Sequence, residues 1–186
     1  MFKKFFIAAM FSVVVFIGSQ LSVCGANMPR NEMYLGGLTV GSTLDEMTGI
    51  YGNYDSYNPG VEGLALYEYG DSVAIGYNSF SKKIISILIN ANNGWTTPAG
   101  LAVGMNISDS VDLYGAPDYS ETGDYKAAHC YFFYDDSGNV RKLAFIILFD
   151  KNSGEILEMR CFGNNPMQSV DEYFFGETPL NYLLSD

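Results

Sequence analysis

The chain has 186 residues, 48% of them hydrophobic, with 10 basic against 21 acidic side chains and a formal charge of −11. So negative a surface repels nucleic-acid phosphates and anionic membrane faces, and no basic patch or basic helix offsets it, which excludes nucleic acid as a partner. A protein partner with a basic surface suits the sign of the charge, and so does plain solubility.

Residues 1–26 read as a secretory signal peptide. Lys3 and Lys4 precede an apolar stretch from Phe5 to Ile17, and short residues follow between Ser22 and Ala26. The apolar run is shorter than a membrane-spanning helix needs, and no stop-transfer charges follow it. Leu21-Ser22-Val23-Cys24 approximates a bacterial lipobox, in which Cys24 becomes the lipidated first residue and the only link to a membrane. A small-residue cleavage site beside it fits free secretion instead, and Val23 is larger than a lipobox expects. The location is therefore secreted or cell envelope. Removing 1–26 takes away two basic residues and no acid, which moves the formal charge from −11 to −13.

A linker at 27–33 leads to a first unit at 34–92. Thr43, three residues before Glu46, has the spacing of a capping box, and Leu44, Met47 and Tyr51 form one helical stripe that Gly52 ends in a left-handed cap. The turn-rich stretch Asn53 to Gly60 precedes three strands, Leu64 to Tyr69, Ser72 to Tyr77 and Lys83 to Asn90, of which the second alternates with period two. The connector at 93–99 holds the lone tryptophan, Trp95, as a plug between two packed units or as a partner anchor.

The second unit, 100–163, repeats this grammar at an offset of 63 residues: Gly37-Leu38-x-Val40-Gly41 against Gly100-Leu101-x-Val103-Gly104, Thr43 against Asn106, Tyr51-Gly52 against Tyr114-Gly115. Ile107, Val111 and Tyr114 form the second stripe, and Pro117 blocks its continuation. A loop at Tyr119 to Tyr125 precedes strands at Ala128 to Tyr134, Lys142 to Asp150 and Glu155 to Phe162, separated by turns at 135–139 and 151–154. Residues 164–186 read as a short helix, with Met167, Val170 and Phe174 on one side, followed by a tail that covers the sheet or its edge. Each half, at about 60 residues, is marginal alone, so the two share one sheet.

The phrase G-M-x-x-S-D-x-V-x-x-Y-G-x-P at Gly104 to Pro117, with its earlier copy and the strands that follow, resembles the repeat of the beta-lactamase inhibitor protein family. A single unit resembles the small outer-membrane-assembly lipoprotein domain. The resemblance covers roughly Leu35 to Phe162. It implies an α+β fold of two tandem helix plus antiparallel three-stranded units, joined in one curved sheet with helices on one face.

Catalytic and cofactor chemistry is not expected. His129 is the only histidine, and in a strand its side chain points away from that of neighbouring Cys130, so the two form no thiolate and base pair. Glycine pairs such as Gly36-Gly37 lack the lysine and spacing of a phosphate loop, and Asp150 to Glu155 lacks the ligand positions of a calcium loop. The acid pairs Asp45/Glu46, Asp109/Asp112, Asp118/Glu121 and Asp135/Asp136 read as helix starts and solvated turns. Cys130 and Cys161 fall in the first and third strands of the second unit, two strand spacings or about 9.6 Å apart in a meander, against a limit of about 7 Å for a disulfide. A bridge requires another strand order or a bend, and two reduced thiols are the alternative.

What remains is aromatic. Tyr67 and Tyr69 share one strand face, Tyr77 ends the next strand, and Phe132 and Tyr134 share a face in the second unit. Helices cover one side of an antiparallel sheet, and rigid, amphipathic tyrosines suit the other as contact residues, although parity does not say which set points outward. Together with Trp95 these residues point to an exported, non-enzymatic protein-binding module, and the resemblance adds inhibition of an extracellular enzyme. The alternatives are an envelope lipoprotein with a structural or assembly role and a cell-wall glycan-binding module.

Overall fold

In a computed structural model of the protein, residues 28–60, 63–134 and 140–163 are described. The signal segment 1–26 with Cys24, the turn at 135–139 and the expected helix and tail at 164–186 lie outside them. Residues 28–33, expected as a linker, are packed. Met28 and Met33 are buried, and the Arg30 guanidinium, just inside a 3-10 turn at Arg30–Glu32, donates to Thr39 Oγ1 at 2.7 Å and Val40 O at 2.9 Å.

Two helices follow from local chemistry. In α1 (Leu44–Tyr51) the Glu46 N–H donates to Thr43 Oγ1 at 3.2 Å, and the Thr43 N–H donates back to the Glu46 carboxylate at 2.6 Å. That backbone donor also holds Glu46 below the ordinary carboxylate range. In α2 (Ile107–Tyr114) the Ser108 N–H donates to Asn106 Oδ1 at 3.0 Å, and the Asn106 N–H donates to Asp109 at 3.0 Å. We expect Thr43→Ala and Asn106→Ala each to lower the unfolding free energy by about 0.5–2 kcal/mol, with losses that add because the caps share no partner. Urea titration of the single and double variants checks both points. Gly52 and Gly115 end the helices at φ 75 and 79 with ψ −156 and −169. This is not the expected left-handed cap but an extended, positive-φ conformation essentially restricted to glycine. The second stripe also differs from expectation: Ser110 and Tyr114 are buried in α2, while Val111 is exposed.

Among the described residues eight strands make one antiparallel sheet: β1 (Ser56–Pro59), β2 (Leu64–Tyr69), β3 (Val73–Asn78), β4 (Lys83–Ile89), β5 (Tyr119–Thr122), β6 (Lys126–Tyr134), β7 (Val140–Asp150) and β8 (Ile156–Gly163). Their order is β1-β2-β3-β4-β8-β7-β6-β5. This corrects the expected two helix plus three-stranded units, since each half brings four strands to a single eight-stranded sheet. The additional strands, β1 and β5, are four residues long and almost wholly exposed. They bury no face, so no alternation marks them, and edge pairing to β2 and β6 holds them in place.

The halves meet as β4 against β8, with Ile87 opposite Cys161, Leu88 opposite Arg160 and Ile89 opposite Met159. The Gly41 N–H donates to Ile84 O and the Gly104 N–H to Ile156 O, both at 2.8 Å, so Ile84 and Ile156 hold equivalent places. On that equivalence Ile87 matches Met159, Ile89 matches Cys161, and Leu88 faces its own counterpart Arg160. The junction therefore has an internal two-fold axis running between Leu88 and Arg160. The register shifts of β3 against β4 and of β7 against β8 fall at matching places, with Ile85 and Leu157 as the unpaired residues. Each shift moves the following residues into line with the core face.

That face carries one continuous core. Met47 of α1 and Tyr114 of α2 belong to the same cluster as Ile75, Ile87, Phe145 and Met159 of the sheet, so both helices pack on one side.

Candidate functional site

The aromatic residues separate by strand face. Tyr67 and Tyr69 of β2 and Tyr77 of β3 all lie on the helix side, where Tyr67 is 7% exposed and Tyr69 and Tyr77 are half-buried. They are not on the open sheet face expected for partner contacts. Pairing places Tyr57 of β1 directly opposite Tyr67, and Tyr54, in the turn before β1, closes over them. The ring of Tyr67 lies 4.7 Å from Tyr54, 5.0 Å from Tyr57 and 5.9 Å from Tyr77. Edge-on and tilted rings at these separations attract through their quadrupoles, by about 0.5–1.5 kcal/mol per pair beyond the area they bury. The cluster is thus rigid at its base and open at its rim: Tyr54 is 39% and Tyr57 is 49% exposed.

Burial, followed by the neighbouring Tyr57, pushes the Tyr67 phenol above its ordinary value, and burial followed by the Asp55 charge does the same for Tyr69. Both remain protonated at neutral pH, and the Tyr69 hydroxyl donates to Gly52 O at 3.0 Å. Asp55, beside the rim, accepts from the Gly70 N–H at 2.7 Å. The arrangement offers flat ring faces, phenolic donors and a nearby carboxylate, which suits stacking and hydrogen bonding to a planar or cationic group. It pairs no nucleophile with a base.

The other candidates lie elsewhere. Trp95 is 9% exposed and stacks on Tyr51 of α1 at 4.2 Å and 20°, which makes it a plug between the connector and the first helix. Phe132 is buried on the helix-free face, and the Tyr134 side chain is outside the described residues. His129 and Cys130 point to opposite faces. His129 lies 4.9 Å from Phe149 on the helix side with its Nδ1 buried and unpartnered, and burial lowers its pKa. Among the described residues no group of His, Cys, Asp and Glu is arranged to hold a metal ion, and no helix is long and apolar enough to cross a membrane. The Asp118 carboxylate accepts the Phe132 N–H at 2.8 Å, so it ties the start of β5 to β6.

Cys130 and Cys161 are free, which corrects the disulfide alternative. Cys130 packs on the helix-free face and Cys161 on the helix face, with β7 between their strands, so no bend at a strand end brings them together. Burial pushes the Cys161 thiol up to about 11 and the Cys130 thiol up to about 12. A thiol is neutral when protonated, so the folded state holds these protons more tightly than the unfolded chain. That contribution is whole below the ordinary value near 9 and is lost as pH rises through the folded values. The urea midpoint is therefore expected to fall progressively from pH 9 to 11. Cys161→Ser, which keeps a donor for Met33 O, should flatten this limb. An unchanged limb in the variant would assign it to other groups.

Tyr54 and Tyr57 are the residues that sequence reasoning missed. Their Y-x-x-Y spacing, just before Pro59, is the signal that marks them, but a stretch read as a turn gives no reason to place them against Tyr67.

No protein-family profile and no curated protein matches the chain. Solved structures resemble it, among them the following two. An extracellular protein containing a SCP domain from Bacillus anthracis aligns at 11% identity and a TM-score of 0.47, over 73% of this chain and 52% of its own. A cysteine-rich secretory protein from Staphylococcus aureus aligns at 16% identity and a TM-score of 0.50, over 75% of this chain and 47% of its own. This chain thus spans about half the length of either protein, and the second likeness, at 16% identity, is one of fold.

Proposed function

We propose that this chain is an exported protein-binding module, without catalytic activity of its own, that engages a basic surface of an extracellular protein through the Tyr54–Tyr57 rim. The observation that carries the reading is the pair of half-exposed tyrosines set on buried Tyr67 at the edge of the sheet. Such rings bring contact area at low entropy cost because neighbours already fix them. Asp55 and the overall negative charge favour a cationic counterpart. Export rests on the signal pattern of residues 1–26 and accords with the fold likeness to a secretory protein. Inhibition of an extracellular enzyme is the form of binding that the resemblance to beta-lactamase inhibitor proteins implies.

The test compares the immobilised mature chain with its Tyr54→Ala/Tyr57→Ala variant against culture fluid and against purified cell-wall glycans, at low and physiological salt. A protein retained by the parent and at least tenfold less by the variant is the expected result. Specific retention of a glycan with no protein would overturn the reading in favour of a wall-binding module. Mass spectrometry of the mature N-terminus decides the anchor: a diacylglycerol on Cys24 establishes an envelope lipoprotein, whereas a chain starting at Ala26 or Asn27 establishes free secretion.

A further inference from the structure

The sheet has two outer edges, β1 and β5, at the ends that its internal two-fold axis relates, and they are guarded differently. In an antiparallel ladder alternate residues turn their main-chain groups toward the neighbouring strand, and the residues between them turn theirs away. The Gly60 N–H donates to Leu64 O at 2.9 Å, so Asn58 and Ser56 face β2 while Tyr57 and Pro59 face outward. Pro59 has no N–H, and Glu68 O takes the Asp55 N–H at 2.9 Å, which leaves the β1 edge with Tyr57 as its outward donor. Proline on an edge strand guards it against pairing with another chain.

β5 has no such guard. The Gly123 N–H donates to Lys126 O at 2.8 Å, so Glu121 and Tyr119 face β6, while Ser120 and Thr122 face outward, each with its N–H and its carbonyl. Both are exposed with small side chains, and among the described residues no group bonds to their outward main chain. Between them Glu121, opposite Ala128, points to the helix-free face. Its carboxylate accepts the Tyr119 hydroxyl at 3.3 Å, and among the described residues no basic side chain bonds to it. Lys151, at the end of the β5–β6 hairpin, donates to Gly123 O at 3.3 Å instead.

Charge decides what this edge can take. In a second copy paired antiparallel, so that Ser120 and Thr122 of each chain exchange their bonds, Glu121 lies opposite its own counterpart and Asp118 opposite Asp124. Like charges directly opposite destabilise a strand pair. We propose that the β5 edge is an acceptor site at which an extended segment of another protein, with a lysine or arginine facing Glu121, adds as the next strand. Ser120 and Thr122 supply four main-chain hydrogen bonds that are indifferent to side chains, and Glu121 selects the residue it faces, about 4.5 Å away between Cα atoms. The site is at the opposite end of the sheet from Tyr54 and Tyr57 and does not rest on them.

The probe is the end-blocked heptapeptide Thr-Val-Thr-Lys-Thr-Val-Thr, titrated to millimolar concentration into the isotope-labelled mature chain, with a glutamate-centred peptide for comparison. In the free protein the Ser120 and Thr122 amides are expected to exchange rapidly with water. The lysine peptide should shift both resonances and slow their exchange, and the glutamate peptide should bind at least threefold more weakly. Glu121→Lys should reverse that order. Ser120→Pro removes one outward donor without touching the β5–β6 ladder and should weaken the lysine peptide at least threefold; if its amide spectrum shows an unfolded chain, the charge reversal decides alone. Slow exchange of both amides before peptide is added would overturn the proposal, showing the edge held by a second copy if it depends on concentration and by the chain itself if it does not. No shift at Ser120 and Thr122, shifts at Tyr57 instead, or equal binding of the two peptides would refute it as well.

Discussion

Replacing Phe145 by alanine is expected to lower the unfolding free energy by about 3–5 kcal/mol, and to do so in one transition that includes both halves of the molecule. Phe145 is fully buried in β7, opposite Tyr131 on one side and Cys161 on the other. Cys161 in turn faces Ile87 across the junction, so the cavity opens beside the seam that joins the halves. A domain of this size is stable by about 5–15 kcal/mol, which makes the loss a large share of the whole. Guanidinium unfolding followed by Trp95 fluorescence, which reports the first helix, should shift together with far-UV circular dichroism, which reports the sheet. A fluorescence transition that stayed in place while the dichroism moved would show that the halves unfold separately.

The parts of the fold legible in the sequence are those fixed by local chemistry. Thr43 with Glu46 and Asn106 with Asp109 are backbone-capping geometries that depend on nothing distant, and both helices begin where those residues place them. The 63-residue offset persists as far as Ser56 and Tyr119, the first residues of β1 and β5, but grows to 72 by Ile84 and Ile156 because the second half has a longer central hairpin. An alignment of the two halves without gaps therefore loses the last strand of each, and with it the two-fold pairing at Leu88 and Arg160. The edge strands were hidden for a different reason: Ser56–Pro59 and Tyr119–Thr122 take their conformation from a neighbour and are almost wholly exposed.

The faces of the sheet were less legible than its strands. A β-strand apolar on one side declares its inward face, but the second half is buried on both, with Tyr131, Phe145 and Ile147 on one and Cys130, Ile146 and Leu148 on the other. Continuous apolar runs such as Leu143 to Phe149 carry no parity signal. In the first half the tyrosines misled because an amphipathic ring is as much at home under a helix as on a contact surface. The opposed placement of His129 and Cys130, by contrast, needed only the period of a strand.

Gly36→Ala should destabilise the protein well beyond Gly37→Ala, although the two glycines are neighbours with similar backbones. Both sit at positive φ, 58 and 85, so alanine at either incurs a backbone strain of about 1–3 kcal/mol. Their surroundings differ. A Cβ at Gly36 runs into the Trp95 indole and the Tyr51 hydroxyl, whereas at Gly37 the nearest atom is Ile50 Cδ1 at 3.9 Å, an ordinary contact. The Gly36 N–H also donates to Thr96 O at 3.0 Å, and its carbonyl accepts the Tyr51 hydroxyl, so the backbone cannot swing aside without losing both bonds. Overpacking of this kind adds about 1–3 kcal/mol. Because Trp95 stacks on Tyr51, and Tyr51 lies 5.8 Å from Tyr69, the displacement should red-shift the tryptophan emission in the folded state of Gly36→Ala alone. Equal losses in the two variants, with unaltered emission in both, would mean that the Trp95 plug yields freely and does not lock the connector to the first helix.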